Sequence, residues 1–196
     1  MVKSRQWDPE AKRNQLIEAA IKVLNRKTYS KAPVDEIAKC AGVAKGTVYL
    51  YFKSKEEIYF AVLFALIDKL IGIVDDVKGT KATATRQMGI LLKKTTEFIA
   101  EHRQIFNAVR NETTSCRDKL HNELHKKIFE MNKAISEIVV KGIDSGEFKD
   151  YPPQLISGVF FSAASLIVHQ QIEQDKTFPQ IPQDMLFQIM LKGFAK

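Results

Sequence analysis

Apolar residues recur along this chain at the three- and four-residue spacing of an α-helix, and the alternation typical of β-strands is rare. The first apolar stripe begins behind Asp8, whose carboxylate can cap a helix, and Pro9, which suits the first helical position. Because the same periodicity continues over most of the chain, the pattern predicts an all-α protein of about nine helices.

Short segments with glycine, proline or several polar residues separate the predicted helices. Ser54 and Glu57 form a capping-box pattern at the start of the fourth helix. The helices are expected at about residues 9–27, 33–41, 45–51, 54–77, 83–101, 103–113, 117–145, 153–173 and 183–195.

Two of these helices are short and follow each other across the tight turn Ala41-Gly-Val-Ala44, in which Gly42 stands where a helix needs a left-handed residue to stop. This pattern predicts a helix-turn-helix over about residues 33–52. The outer side of the second short helix and the basic residues behind it then form a plausible DNA-reading surface. That surface consists of Lys45, Gly46, Thr47, Tyr49, Leu50, Tyr51, Lys53 and Lys55. The alternative is that the tyrosines pack and the lysines are merely solvated, since many helical hairpins share this pattern.

Positive charge is concentrated at one end of the 196-residue chain, which has a formal net charge of +7. Residues 1–60 hold 12 Lys and Arg against 7 Asp and Glu, whereas the remaining residues hold 18 and 16. A basic N-terminal third beside a nearly neutral remainder indicates a polyanion-binding module joined to a second module.

The N-terminal third also resembles the signature of TetR-family transcriptional regulators over about residues 11–65. The most specific part of the resemblance is the run Gly46-Thr-Val-Tyr-Leu-Tyr-Phe52, which is followed by Lys-Ser-Lys-Glu. Upstream, Leu16-Ile-Glu-Ala-Ala20 and Val34-Asp-Glu-Ile-Ala38 fit the same signature. Ala44 departs from it, because the family commonly has serine before this helix, and the loss of that cap costs about 1 kcal/mol.

The resemblance implies a helix-turn-helix DNA-binding domain at 1–54 and a helical effector-binding and dimerisation domain at 55–196. It implies a cytoplasmic homodimer, most often a repressor, that binds a palindromic operator and is released by a small molecule. No enzymatic activity, cofactor or membrane contact is expected. The alternatives are a helical small-molecule binding protein or enzyme with an incidental basic end, and an architectural DNA binder without a preferred site.

The last two predicted helices carry more apolar surface than the exterior of a monomer needs. By the resemblance they would form the dimer interface as a four-helix bundle. The residues expected there are Leu155, Val159, Ala163, Leu166, Leu186, Ile189 and Met190. The alternative is that both helices complete the core of a single chain.

Aromatic residues in the C-terminal part suit an apolar effector pocket, although phenylalanines at helical spacing are more often core. The expected lining is Phe64, Leu91, Thr95, Phe98, Phe106, Phe129, Phe160 and Phe161. Few charges lie centrally there, which favours an apolar or amphipathic effector such as a fatty-acyl compound, an aromatic or a hydrophobic drug.

The cysteines and histidines give little support to metal or disulfide chemistry. Two cysteines far apart in sequence are not a disulfide framework and fit a reducing compartment. His121 and His125 are four residues apart near Cys116, a spacing that can bind zinc. The charged residues around them instead favour a solvated stretch, so no metal is expected. The start of the chain lacks an apolar region typical of a signal peptide.

Overall fold

The computed structural model describes residues 8–106, 117–173 and 182–195, although the side chains of 117–121, 165 and 168–173 lie outside that description. Within these ranges the secondary structure is helical, with one isolated backbone bridge between Phe148 and Ala195. The all-α class predicted from the periodicity is therefore confirmed.

Residues 103–106 form a short helical segment that carries no number of its own. A short 3-10 helix covers Tyr29–Lys31. The α-helices are α1 (Pro9–Leu24), α2 (Val34–Cys40), α3 (Lys45–Tyr51), α4 (Lys55–Lys78), α5 (Ala84–Glu101), α6 (Arg117–Asp144), α7 (Pro153–Glu173) and α8 (Gln183–Phe194).

Local sequence signals account for several of these boundaries. The Asp8 Oδ1 atom accepts hydrogen bonds from the backbone N–H groups of Glu10 and Ala11, at 3.0 and 3.1 Å, as expected of an N-cap. The bounds of α3 are those predicted. The first helix is shorter than predicted, because α1 ends at Leu24.

The chain divides into two compact units, and the division falls within α4. Unit 1 contains residues 8–65 and 104–106 of the described chain, and its α1 packs on α2 and α2 on α3. The Gln15 side chain donates a hydrogen bond from Nε2 to the backbone oxygen of Ala41, 2.8 Å away. This bond attaches α1 to the turn between α2 and α3. The fully buried side chains of this unit include Leu16, Ile37, Val48, Phe52 and Ile58.

Unit 2 contains the rest of the described chain and is built from the end of α4 and from α5 to α8. Its α6 packs along α7, and α5 contacts α6, α7 and α8. Gly142 permits the closest approach, since a Cβ atom there would lie 2.3 Å from the Phe148 ring and 2.9 Å from the Ala84 Cβ atom. Phe148 packs in turn on Phe194, with ring centroids 4.9 Å apart.

In the part of the chain that the structure describes, no helix is both long enough and apolar enough to span a bilayer.

Candidate nucleic-acid interface

The turn before α3 sets the position of that helix. Gly42 adopts a φ of +66°, a left-handed conformation that glycine accommodates without strain. The N–H groups of Gly42 and Val43 bond back to the carbonyls of Lys39 and Ala38, at 3.2 and 3.0 Å, and so end α2. Val48 and Phe52 are then buried on the inner side of α3, which leaves its opposite side exposed.

The outer side of α3 presents apolar and aromatic surface to solvent. Leu50 is 81% exposed and Tyr49 is 45% exposed, although both are large hydrophobic residues. A Cβ atom added to Gly46 would have nothing within 4 Å, so the backbone is open there. This surface can contact base edges, thymine methyl groups or phosphates in a DNA groove.

Lys45, the first residue of α3, makes an ion pair with a residue of α2. Its Nζ atom lies 2.9 Å from the Asp35 Oδ1 atom, and both side chains are largely exposed. The hydrogen bond to Asp35 and the charge of that carboxylate raise the pKa of Lys45 above its ordinary value. Lys45 therefore carries its positive charge at the start of α3, but part of that charge is neutralised by Asp35.

Two of the predicted DNA-contacting hydroxyls are less accessible than expected. Thr47 is half-buried. The Tyr51 hydroxyl is buried, and within the described ranges it has no hydrogen-bond partner. The buried hydroxyl shows that the Tyr51 ring turns inward. Tyr51 was expected on the DNA-reading surface, and in the conformation described its hydroxyl is not available there.

The start of α4 continues the basic edge. Ser54 caps the helix by accepting a 3.2 Å hydrogen bond from the Glu57 N–H group. A capping box predicts that the Glu57 carboxylate accepts a hydrogen bond from the Ser54 N–H group. Here it accepts a 2.6 Å bond from the N–H group of Lys53, one residue earlier. The Lys55 Nζ atom lies 4.5 Å from the centre of the Tyr29 ring and donates to the Ser30 carbonyl oxygen at 3.3 Å.

Sequence reasoning missed three residues that shape this face. Asp35 pairs with Lys45, Tyr29 lies under the Lys55 ammonium, and the Arg13 guanidinium lies 5.0 Å above the Phe52 ring. A signal existed for Asp35, since acidic residues favour the first turn of a helix. The partners of Tyr29 and Arg13 are distant in sequence, and no local pattern indicates them.

The side chains predicted to line an effector pocket are distributed over both units. Phe64 and Phe106 are half-buried in unit 1. In unit 2, Leu91, Thr95 and Phe160 are buried, whereas Phe98 and Phe161 are half-buried.

Phe129 corrects that prediction, because its ring is 71% exposed. It was expected in the pocket as one of the aromatic residues of the C-terminal part, but α6 turns this position toward solvent. Phe129 therefore lines no internal space of the described chain.

The predicted dimer residues on α7 and α8 are mostly accessible. Leu155 is 59% and Ile189 is 60% exposed, and Val159 is exposed as well. The others are half-buried: Ala163, Leu166 and Leu186. Met190 corrects the prediction, because this side chain is buried in the core of its own chain.

Most of the side chains considered for a zinc site lie outside the part of the chain that the structure describes. Cys116 and the side chain of His121 lie outside the described residues, and His125 is exposed. Across the ranges that are described, no group of three His, Cys, Asp or Glu side chains is arranged to hold a metal ion.

A helix-turn-helix with a solvent-facing second helix and a basic flank defines a class of DNA-binding regulators. The model of bacterial regulatory proteins of the tetR family matches residues 16–62, and the model of the tetracyclin repressor-like C-terminal domain matches residues 81–169. The chain belongs to the TetR family. It is a ligand-responsive transcriptional regulator that binds DNA, and it is not an enzyme.

The chain is also similar to individual regulators of known sequence or structure. The fatty acid metabolism regulator protein of Bacillus subtilis (strain 168) is 30% identical over 136 residues, which cover 69% of this chain and 70% of the relative. The crystal structure of the regulator FadR from Bacillus subtilis in complex with stearoyl-CoA is 25% identical, with a TM-score of 0.73. That match covers 92% of this chain and 98% of FadR. A TetR-family regulator from Mesorhizobium loti MAFF303099 shares the fold, with a TM-score of 0.75 at 16% identity and coverage of 97% and 100%.

Proposed function

We propose that this chain is a repressor that binds a palindromic operator as a homodimer in the cytoplasm. We further propose that a long-chain fatty-acyl compound, such as an acyl-CoA, releases it from DNA. The observation that carries the proposal is the exposed outer side of α3, where Gly46, Tyr49 and Leu50 face solvent beside Lys45. Buried apolar residues of the same helix hold that side outward.

A dimer is required because one recognition helix reads too few base pairs for useful specificity, whereas two related by a two-fold axis read a palindrome. Exposed apolar side chains on α7 and α8 support the dimer. Leu155 and Val159 are four residues apart on α7, and Met185 and Ile189 are four apart on α8. Each pair forms a stripe along its helix, and two such stripes exceed the scattered exposed apolar residues normal for a monomer.

The effector class is supported by the relatives and by the interior of unit 2. A regulator similar to this chain was solved with stearoyl-CoA, and another is named for fatty acid metabolism. The interior of unit 2 is apolar, and its buried hydroxyls have partners within the protein. The Ser136 and Ser157 hydroxyl oxygens lie 2.9 Å apart, and Thr95 donates to the Leu91 carbonyl at 2.7 Å. An acyl chain suits such an interior better than a polar effector does.

The first experiment measures binding of the full chain to its own promoter DNA by fluorescence anisotropy. Saturable binding that outcompetes random duplex is expected, and stearoyl-CoA should release the DNA whereas coenzyme A alone should not. Release by an aromatic drug but not by stearoyl-CoA would replace the acyl effector with an aromatic one. Equal affinity for every duplex would contradict the proposal that the regulator prefers one operator sequence.

The reading role of α3 is tested by comparing Tyr49→Ala with Lys53→Ala. Loss of a base-contacting side chain should reduce discrimination between operator and random DNA by about 1–3 kcal/mol. Loss of a phosphate-contacting lysine should weaken both DNAs equally and lower the salt slope by about one. Equal behaviour of the two variants would refute the assignment of Tyr49 to base contact.

The dimer is tested by native mass spectrometry of Val159→Arg combined with Ile189→Arg. Two buried, unpaired cations at an interface should convert the dimer to a monomer and weaken operator binding. Val140→Arg serves as the control, since Val140 is an exposed apolar residue on α6. A monomeric wild-type protein, or a dimer that survives both substitutions, would place the interface elsewhere.

A further inference from the structure

Unit 1 contains a small pocket that the proposed function does not use. Its volume is about 400 Å³, within the usual range for small-molecule sites. Among the described residues, three cationic side chains, a hydroxyl and a carboxamide line it. The lining residues are Arg26, Lys27, Thr28, Lys31 and Gln104.

The cations of this pocket come from the connection between α1 and α2. Lys27 makes an ion pair with Glu36 and so contributes part of its charge elsewhere. Arg26 and Lys31 have no ion-pair partner within the described ranges. Two cations on one concave surface, with no carboxylate among the described lining residues, favour an anionic ligand. Arginine beside lysine is a combination suited to phosphate oxygens.

Gln104 adds an independent observation. Its Oε1 atom is buried and has no hydrogen-bond partner in the described part of the chain. Buried polar atoms are nearly always paired, and an unpaired carboxamide oxygen indicates a missing donor. Phosphate oxygens accept hydrogen bonds, so the missing donor would be an O–H or N–H group elsewhere on the same ligand.

We propose that the pocket bounded by Arg26, Lys31 and Gln104 binds a phosphate ester that also carries hydroxyl groups, as a nucleotide does. The phosphate lies against Arg26 and Lys31, and a ligand hydroxyl donates to the Gln104 carboxamide. The concave shape favours a small molecule over the convex backbone of duplex DNA. No residue of α3 lines the pocket, so this site is separate from the DNA-reading surface.

Such a ligand would act on the segment that supports Lys55. The 3-10 helix Tyr29–Lys31 supplies Lys31 to the pocket, while Tyr29 and Ser30 contact the Lys55 ammonium. Occupancy would tie this segment to Gln104 and so restrict the position of Lys55.

The test is isothermal titration of the full chain with ADP, coenzyme A and inorganic pyrophosphate at moderate salt. Saturable binding of ADP at one site per chain is expected. Arg26→Ala combined with Lys31→Ala should weaken it at least about tenfold, as expected for loss of charged hydrogen bonds. Lys93→Ala combined with Lys94→Ala is the matched control, because both lysines are exposed on α5 in unit 2.

Gln104→Leu separates the two parts of the site. It should weaken ADP and leave pyrophosphate unchanged, since pyrophosphate lacks a ribose hydroxyl. Tight binding of coenzyme A but not ADP would assign the site to the coenzyme A part of a larger molecule, with the same phosphate chemistry.

Three results would overturn the proposal. The first is that neither ADP nor coenzyme A binds saturably. The second is that the pocket variant and the control variant bind ADP with equal affinity. The third is that the pocket variant loses only its non-specific affinity for duplex DNA. The last result would make the pocket a DNA phosphate contact. If the double variant does not fold, Lys31→Glu alone provides the comparison. The wild-type ADP titration does not depend on whether stearoyl-CoA releases DNA, so the two proposals can fail separately.

Discussion

Lys45 at the start of α3 and Asp35 in the first turn of α2 are joined by an ion pair, with 2.9 Å between Nζ and Oδ1. Both residues belong to the helix-turn-helix, and Lys45 is the cationic residue of α3 itself. A carboxylate beside it reduces the attraction for phosphate while it positions the ammonium group. The pair therefore opposes non-specific DNA binding at the surface proposed to read DNA.

Asp35→Asn should increase non-specific DNA affinity modestly, because the exposed carboxylate no longer neutralises part of the Lys45 charge. The released Lys45 charge should also steepen the dependence of affinity on salt by up to about one unit of slope. Anisotropy titrations of random duplex across a salt series measure both effects. Glu97→Gln, which removes the carboxylate near Lys93 on α5, serves as the control. Unchanged affinity for Asp35→Asn would mean that Lys45 lies away from the phosphates.

Gly46→Ala separates the stability of α3 from its contact with DNA. The added Cβ atom has open space around it, and alanine loses less backbone entropy on folding than glycine, which is worth up to about 1 kcal/mol in a helix. The variant should therefore unfold at higher urea, yet bind operator more weakly because the backbone no longer approaches the DNA as closely. Gly72→Ala in α4 has equally open space and should leave operator affinity unchanged. Full operator affinity in Gly46→Ala would exclude a close backbone approach at this position.

Tyr59→Phe should destabilise unit 1 by about 0.5–1.5 kcal/mol, the usual net contribution of an internal hydrogen bond. The Tyr59 hydroxyl donates to the Ile105 carbonyl oxygen, 2.5 Å away, and both residues are buried. The edge of the Tyr29 ring also packs on Tyr59, at 5.0 Å between centroids. Urea unfolding measures the effect, and Tyr151→Phe at an exposed position should change nothing. An unfolding midpoint equal to wild type would show that this bond contributes no net stability.

Glu147 should make the stability of unit 2 depend on pH. Its carboxylate accepts bonds from the N–H groups of Ala84 and Thr85 at the start of α5, at 3.0 and 2.9 Å. Burial raises the pKa of Glu147, whereas these bonds and one from Ser145 lower it. Together the hydrogen bonds have the larger effect, so the pKa lies below its ordinary value of 4.5. Since the folded pKa is the lower one, the carboxylate stabilises the fold above pH 4.5, and this contribution is lost as the pH falls through the folded value.

Glu147→Gln should therefore cost about 1 kcal/mol at neutral pH, as loss of a helix cap does. The difference from wild type should shrink at acidic pH, where Glu147 itself becomes neutral. Urea unfolding across a pH series measures this difference. Glu130→Gln is the control, because Glu130 is an exposed residue of α6. A difference that stayed constant through the acidic range would show that the charge of Glu147 is not what caps α5.

Much of the candidate DNA-reading surface was predictable because its signals are local. The turn at Gly42 and the inward Val48 and Phe52 follow from spacing, and they identify Tyr49 and Leu50 as outward residues. Tyr51 was not predictable in this way, because the burial of its hydroxyl depends on tertiary packing. Met190 failed for a related reason, because an apolar stripe predicts that a helix face is covered but not what covers it. Phe129 failed because its position is left uncovered in the chain described.

The sequence by itself determined the all-α class, the family and most helix boundaries, because caps, glycines and apolar periodicity act within a few residues of one another. Only the tertiary structure decided that Asp35 restrains Lys45, that Glu147 caps α5, and that Arg26, Lys31 and Gln104 line one pocket. Glu147 lies more than sixty positions from the amides that it caps. Contacts of this kind depend on how helices pack, and the packing is a property of the whole chain rather than of any short segment.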